Sequence, residues 1–133
     1  FFRLPQKEQW GILVHEKHRL AQKTFITPDD LINEPLIIAK RTAVQNELIN
    51  WFNNSPEKLN IVATYNLILN AANMVKHQIG VALCFNLNFD NLYQDLRFIP
   101  LFPEIKTGAV LIWKKNHIYS QTMSHFIKSI KNA

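Results

Sequence analysis

Two segments of the sequence combine groups that can bind an anion. Lys40 and Arg41 are followed by Thr42, which is typical of a helix N-cap, and Asn66 stands at the start of a second predicted helix. A helix N-terminus has free backbone N–H groups and a partial positive charge, so it favours a carboxylate, sulfate or phosphate. Adjacent cations can add charge-assisted hydrogen bonds. The same pattern also fits two plain caps and two solvated cations, and the residues alone leave both interpretations open.

The other chemically capable residues follow no catalytic or metal-binding pattern. The five histidines lack metal-ligand spacing, and three glycines in the whole chain leave little room for a phosphate-binding loop. The one cysteine, Cys84, is either a catalytic thiol or a buried hydrophobic residue, and its neighbours Leu83 and Phe85 favour burial. A lone cysteine also excludes an internal disulfide. We therefore expect no cofactor, no metal and no enzymatic activity.

The elements that position these residues alternate along the chain. Short apolar runs predict strands at residues 10–14, 36–39, 59–64 and 81–85. A four-residue repeat of apolar side chains predicts a helix over 43–53, and a second helix begins at Asn66 and closes near Gly80. Strand, helix, strand, helix, strand implies right-handed crossovers and a parallel sheet with helices on both faces. The fold class is α/β.

The last part of the chain has a different order. Residues 97–101 and 108–113 predict single strands, and the spacing of apolar residues from Ser120 onward predicts a closing helix. A βαβαβ block over about 20–103 thus lies between two single strands. This order is typical of a chain that leaves one lobe, builds a second and returns, with the connecting strands as the hinge.

Composition and charge limit the class of protein. The chain has 133 residues, is 47% hydrophobic and has a formal net charge of +5, so we expect a folded domain. Its basic residues are scattered, which favours a solvated basic surface over a nucleic-acid-binding one. No apolar run approaches the roughly 20 residues of a membrane-spanning helix.

Three stretches together resemble LysR-type transcriptional regulators. "EQWGILVHEKHRLAQKTFITPDDLINEPLI" resembles a strand, a His-Pro-Leu-Ala-like turn, a short helix and a "pLI" strand of that family. "ATYNLILNAANMVKHQIGVAL" resembles its helix ending in "mV-x-x-G-x-Gial". "LRFIPLFP" and "TGAVLIWKKNHIYSQTMSHFIKSIK" resemble its closing strand and helix. The stretches occur in the family's order and cover nearly the whole chain.

The resemblance implies part of a type II periplasmic-binding-protein-like domain with two α/β lobes and an effector between them. Residues 1–19 would be partial lobe I and the first crossover strand, 20–103 lobe II, and 104–133 the second crossover strand and last helix of lobe I. A winged helix-turn-helix and the first half of lobe I would precede Phe1. An incomplete lobe I should expose apolar surface on the last helix or pack against another copy.

By position in the motifs, the resemblance implies that His15, Arg41, Thr42 and Asn66 face the effector. The sequence departs from the family pattern at two points. His18-Arg19-Leu20 stands in place of His-Pro-Leu, so the turn there is expected to differ. Gln78 stands in place of a glycine, where a left-handed helix end would favour glycine.

We therefore expect an effector-sensing domain of a cytoplasmic LysR-type regulator that binds a small, anionic co-inducer. It would form a homodimer or homotetramer, contact DNA only through the preceding domain, and contact no membrane. The first alternative is an extracytoplasmic solute-binding protein for a small anion or amino acid, which shares the fold. The others are an enzyme using Cys84 with a histidine, and direct nucleic-acid binding through basic charge.

Overall fold

A computed structural model describes residues 2–52, 59–88, 93–111 and 120–131 of the chain. The chain divides into two compact units. The larger unit is the continuous segment Gln9–Lys106, and the smaller unit joins Phe1–Glu8 to Thr107–Ala133 from the opposite end of the sequence. The chain thus leaves one unit, builds the other and comes back.

The larger unit is built on a mixed sheet. In chain order its elements are the second half of strand β1 (Phe2–His15), a 3-10 turn (Pro28–Leu31), β2 (Pro35–Ala39), helix α1 (Thr42–Trp51), β3 (Asn60–Tyr65), helix α2 (Ile68–Lys76), β4 (Val81–Phe85) and β5 (Leu96–Pro100). The strands lie in the order β3-β2-β4-β1-β5.

The smaller unit contains the first residues of β1, strand β6 (Lys106–Leu111), which pairs with β1, and helix α3 (Gln121–Lys131). Met123 and Phe126 of α3 are exposed. Residues 112 and 113 of the predicted strand over 108–113 lie outside the described residues.

The βαβαβ block is confirmed. Strand β2 pairs in parallel with β3 on one side and with β4 on the other. The sheet is not wholly parallel, however, because β1 pairs antiparallel with both β4 and β5. Residues 10–14, predicted as an isolated strand, therefore lie inside the same sheet and form only part of the longer β1.

Helices cover both faces of the sheet, as predicted. One core cluster contains Val81 and Leu83 of β4 together with Leu48 and Trp51 of α1. Ala82 and Cys84, whose side chains point to the other face, pack in a second cluster with Ala71, Ala72 and Val75 of α2. All four residues from Val81 to Cys84 are fully buried, which explains why this strand has no polar face.

Strand β3 is less buried than its apolar sequence predicts. It is the outer strand of the sheet, and Ile61 and Val62 are about half exposed. The pairing register with β2 shifts after Leu36, so the pairing passes over Val62. A strand at an edge has one neighbour instead of two, and its hydrophobic sequence alone does not reveal that position.

The departure at His18-Arg19-Leu20 produces a hydrogen-bonded turn. The His18 Nδ1 atom accepts the Leu20 backbone N–H at 3.0 Å, and its Nε2 atom lies 3.1 Å from Oε2 of Glu34. Arg19 donates from Nε to Oε1 of the same carboxylate at 2.7 Å. The turn is therefore fixed to Glu34, just before β2, by His18, which the family pattern also has, and by Arg19, which stands where that pattern has proline.

At Gln78 the sequence departs from the family pattern, but the helix still ends in the left-handed conformation that a glycine would adopt there. Helix α2 ends at the C-cap residue His77, and Gln78 adopts a left-handed φ of 58°. The Gln78 N–H donates to the Val75 carbonyl at 2.9 Å, and the Ile79 N–H donates to the Met74 carbonyl at 3.0 Å. These two bonds define a Schellman motif, so tertiary structure imposes on Gln78 a conformation that glycine adopts more easily.

The substitution Gln78→Gly should raise the free energy of unfolding by about 0.5–1 kcal/mol, because glycine has no Cβ to oppose a positive φ. The matched control is His77→Gly one residue earlier, where φ is −87°. There glycine only adds entropy to the unfolded chain and should cost about 0.5–1 kcal/mol. Urea unfolding measures both, and effects of the same sign would contradict this account.

Candidate functional site

Two neighbouring parallel strands end side by side and send the chain to opposite faces of the sheet. Ala39, the last residue of β2, pairs with Tyr65, the last residue of β3. The Lys40 N–H donates to the Tyr65 carbonyl at 2.9 Å, which holds the two strand ends together. Helix α1 then packs on one face and α2 on the other. Such a divergence opens a crevice at the carboxyl edge of a sheet, where ligands bind in open α/β folds.

A cavity of about 360 Å³ lies at this edge. The described residues of its lining combine one guanidinium and one side-chain amide with aromatic and aliphatic side chains, and none of them is a carboxylate. The lining residues are Trp10, Ala39, Arg41, Tyr65, Asn66, Leu67, Ile68, Phe85 and Leu87. The volume lies within the range of small-molecule sites.

The structure brings Arg41 and Asn66 to this cavity, but their positions relative to the helices differ from the prediction. Arg41, not Thr42, occupies the N-cap of α1, and Thr42 is the first helical residue. Leu67, not Asn66, occupies the N-cap of α2. The predicted capping roles of Thr42 and Asn66 are therefore wrong.

Both helices begin without a side-chain cap. No side-chain cap hydrogen bond forms at Arg41 or at Leu67. The first-turn N–H groups of α1 and α2 are therefore left to other acceptors. Both Arg41 and Asn66 are exposed, and no hydrogen bond or ion pair joins either side chain to a described residue. These donors and the two positive helix ends together suit a negatively charged ligand.

Glutamine 45 fixes the segment that carries Arg41. Its Nε2 atom donates to the Ala39 carbonyl at 3.0 Å and reaches the Lys40 carbonyl at 3.4 Å. Gln45 is the fourth residue of α1, and its side chain thus bonds the carbonyls of the two residues that precede the N-cap Arg41. The guanidinium of Arg41 thus extends from a backbone held at both sides.

Sequence reasoning missed the aromatic part of the lining. Trp10 and Phe85 pack with ring centroids 4.4 Å apart. Tyr65 donates from its hydroxyl to the Leu83 carbonyl at 2.8 Å, and burial, with a smaller effect of nearby Cys84, raises the pKa of this hydroxyl above its usual value. Tyr65 therefore remains a donor. Trp10 begins the predicted strand 10–14, and only the antiparallel pairing of β1 shows that its start lies beside the end of β4.

His15 lies away from the other predicted site residues. It is five residues beyond Trp10 on β1, about 16 Å at roughly 3.3 Å per residue. Because β1 runs antiparallel to β4, this end lies at the opposite edge of the sheet. His15 lines a separate cavity of about 110 Å³ with His18 and Glu34. Its Nδ1 atom accepts the Lys17 N–H at 3.1 Å. The structure therefore does not bring His15 to the cavity that Arg41 and Asn66 line, and the contact of His15 with an effector stays a prediction.

Cys84 is placed as a core residue. It is fully buried beneath α2, and burial raises the pKa of its thiol well above the usual range. A thiol in this environment is a poor nucleophile. Among residues 2–52, 59–88, 93–111 and 120–131, no group of three or more histidine, cysteine, aspartate or glutamate side chains is arranged to hold a metal ion. None of the described helices has the length and hydrophobicity needed to cross a membrane.

The fold is that of the type II periplasmic-binding-protein-like domains in LysR-family regulators. The C-terminal domain of a probable LysR family regulator from Rhodococcus sp. RHA1 superposes with a TM-score of 0.76 at 15% identity, covering 97% of this chain and 66% of that one. HinK, a LysR family transcriptional regulator from Pseudomonas aeruginosa, gives 0.72 at 19%, with 95% and 44% covered. The BenM effector binding domain with its effector benzoate gives 0.65 at 20%, with 98% and 61% covered.

The family model of the LysR substrate binding domain matches residues 3–133, and the chain belongs to this family. No curated protein sequence matches it. The chain spans between 44% and 66% of the length of the three structural neighbours described above.

Replacing Tyr65 by phenylalanine removes the hydrogen bond between the end of β3 and β4 without changing the ring. We expect the free energy of unfolding to fall by about 1 kcal/mol, the usual net value of such a bond. Tyr93→Phe is the control, because the Tyr93 hydroxyl bonds no described residue, and it should change stability by less than about 0.5 kcal/mol. Equal losses in urea unfolding would show that the Tyr65 bond does not hold the strand ends together.

Proposed function

We propose that this chain is the effector-sensing part of a LysR-type transcriptional regulator and that it binds a small anion at the carboxyl edge of β2 and β3. The observation that carries the proposal is the cavity at this edge, where Arg41, Asn66 and the uncapped starts of α1 and α2 meet. Membership of the LysR substrate-binding family supports a sensing role.

The charge distribution supports an anionic ligand. Among the described lining residues there is a guanidinium and no carboxylate, so none of these residues neutralises the cation. A carboxylate can accept two parallel N–H bonds from a guanidinium, and such charge-assisted bonds are about twice as strong as neutral ones. An anion at a partly buried helix N-terminus gains up to about 2 kcal/mol more. In this proposal Arg41 and the first-turn N–H groups bind the same charged group.

In this proposal the larger unit corresponds to lobe II and the smaller unit to part of lobe I, with residues 20–103 as the predicted core of lobe II. The site carries out no chemical step. The regulator acts in the cytoplasm as a homodimer or homotetramer, and it contacts DNA through an N-terminal helix-turn-helix domain. BenM, whose effector-binding domain is similar to this chain, has benzoate as its effector, which supports the ligand-sensing role.

Sensing then requires two conformations with different affinity for the anion. A ligand shifts such an equilibrium only by its differential affinity, and a shift from 1:99 to 99:1 needs about 5.5 kcal/mol. The first-turn N–H groups and the Arg41 side chain, which bonds no described residue, are suitable for this role, since a ligand that satisfies them in one conformation only would favour that conformation.

The test is calorimetric titration of the full-length protein with small carboxylates, amino acids, sulfate and phosphate. We expect at least one of these anions to bind. For the one that binds most tightly, Arg41→Gln should raise the dissociation constant tenfold or more, about 1.4 kcal/mol. The matched control is Lys40→Gln, because Lys40 is exposed, adjacent and outside the cavity lining. It should change affinity by less than twofold.

Equal losses for Arg41→Gln and Lys40→Gln would show that the effect is general charge and not a site at this edge. Binding that neither substitution changes would place the anion elsewhere. The double variant with Thr42→Ala and Asn66→Ala separates the side-chain contribution of these two residues from that of the helix N–H groups.

A further inference from the structure

The cavity at the carboxyl edge is mostly apolar, which indicates that the uncharged part of its ligand is apolar too. Among the described lining residues, the polar side-chain groups other than those of Arg41 and Asn66 are on Trp10 and Tyr65. Tyr65 donates its hydroxyl to the Leu83 carbonyl, and Trp10 is 1% exposed within the core. A hydroxylated ligand would therefore find few partners for its hydroxyl groups in this lining.

Leu67 occupies a position that its own helix does not explain. It is the N-cap of α2, where serine, threonine, aspartate and asparagine are favoured and leucine is among the least favourable residues. Its side chain is 66% exposed, so it does not contribute substantially to the core either. It does line the cavity, beside Asn66. An exposed leucine at a poor capping position is explained if it contacts an apolar ligand.

Leu87 supplies a second exposed aliphatic side chain at the same cavity. It follows β4, is 44% exposed and lies among the lining residues. Phe85 is half-buried and packs on Trp10 at the base of this wall. Single exposed apolar residues are ordinary on a protein surface, but here two converge with an aromatic pair on one cavity.

The charge of the lining limits the number of negative charges on the ligand's head group. Arg41 supplies one guanidinium, which matches one carboxylate in a bidentate arrangement. Arg41 is the one charged side chain among the described lining residues, so a second negative charge on a phosphate or sulfate would have no cationic partner among them. Burial of the additional charge without partners would oppose binding.

We infer that the ligand of this cavity is a monocarboxylate with an apolar ring as its body. The inference depends on the proposed function and narrows its ligand class. The carboxylate binds Arg41, the Asn66 amide and the helix N–H groups, and the ring packs against Leu67, Leu87 and Phe85. Affinity then increases with the apolar area of the acid. It decreases when the ring carries hydroxyl groups or when an uncharged group replaces the carboxylate.

The experiment is calorimetric titration of the full-length protein with benzoate, cyclohexanecarboxylate, benzamide, acetate, gluconate and phosphate. We expect benzoate or cyclohexanecarboxylate to bind at least tenfold more tightly than acetate, gluconate or phosphate, about 1.4 kcal/mol. Benzoate should also bind at least tenfold more tightly than benzamide, which has the same ring without the charge.

The variant Leu67→Ala tests the apolar contact directly. We expect it to weaken benzoate binding at least threefold and acetate binding by less than twofold, since acetate has no ring to lose a contact. Leu69→Ala is the matched control, because Leu69 is also exposed on α2, at 53%, but does not line the cavity. It should leave both affinities unchanged. An equal effect of Leu67→Ala on benzoate and acetate would overturn the inference.

The outcomes separate the inference from the proposed function. If gluconate or phosphate binds most tightly and Arg41→Gln weakens that binding, the anion site stands and the apolar monocarboxylate is wrong. If benzamide binds as well as benzoate, the charge requirement is wrong. If none of the six compounds binds to the folded full-length protein, the inference is overturned, and the anion site is overturned as well only if the amino acids and sulfate of the first titration also fail to bind.

Discussion

The divergence of the chain after β2 and β3 is the constraint on which the site depends. The order β3-β2-β4 requires the connection through α1 to move outward and the connection through α2 to cross back over β2. Both parallel connections are right-handed in nearly all proteins, so the two helices must lie on opposite faces of the sheet. Their first turns then begin beside adjacent strand ends and leave a crevice between them. The positions of Arg41 and Asn66 follow from this topology more than from any local cap.

The hydrophobic core and the site share residues at this edge. Trp10 belongs to the core cluster that contains α1, yet it also lines the cavity and packs against Phe85. Tyr65 packs against the other cluster and bonds the backbone of β4. Because close-packed interiors transmit small displacements, movement of either helix start would displace residues of both clusters. This continuity supports the proposed sensing role, in which the binding site must influence the rest of the fold.

The sequence predicted elements defined by strong local patterns. Strand β4 was predicted at its observed bounds, because five consecutive apolar residues between turn residues have few alternatives. The two helix starts were displaced by one or two residues, because capping preference places Thr42 and Asn66 at N-caps while the strand ends, joined through Lys40 and Tyr65, decide where each helix begins. Local preference is a weak guide where tertiary bonds fix the backbone.

The unpredicted features depend on contacts between distant parts of the chain. The exposure of β3, the position of His15 and the role of Trp10 in the cavity all follow from which strand pairs with which. Motif position placed His15 with the site, but the antiparallel direction of β1 carries it to the other edge. The left-handed conformation of Gln78 likewise results from the surrounding fold, against the preference of its side chain.

The most direct test of the central claim is a crystal structure of the full-length protein with the anion that binds it most tightly. This account predicts that the anionic group lies about 3 Å from the Arg41 guanidinium and from first-turn N–H groups of α1 or α2. An anion bound instead at the cavity beside His15 and His18, or at any surface away from Arg41 and Asn66, would contradict it.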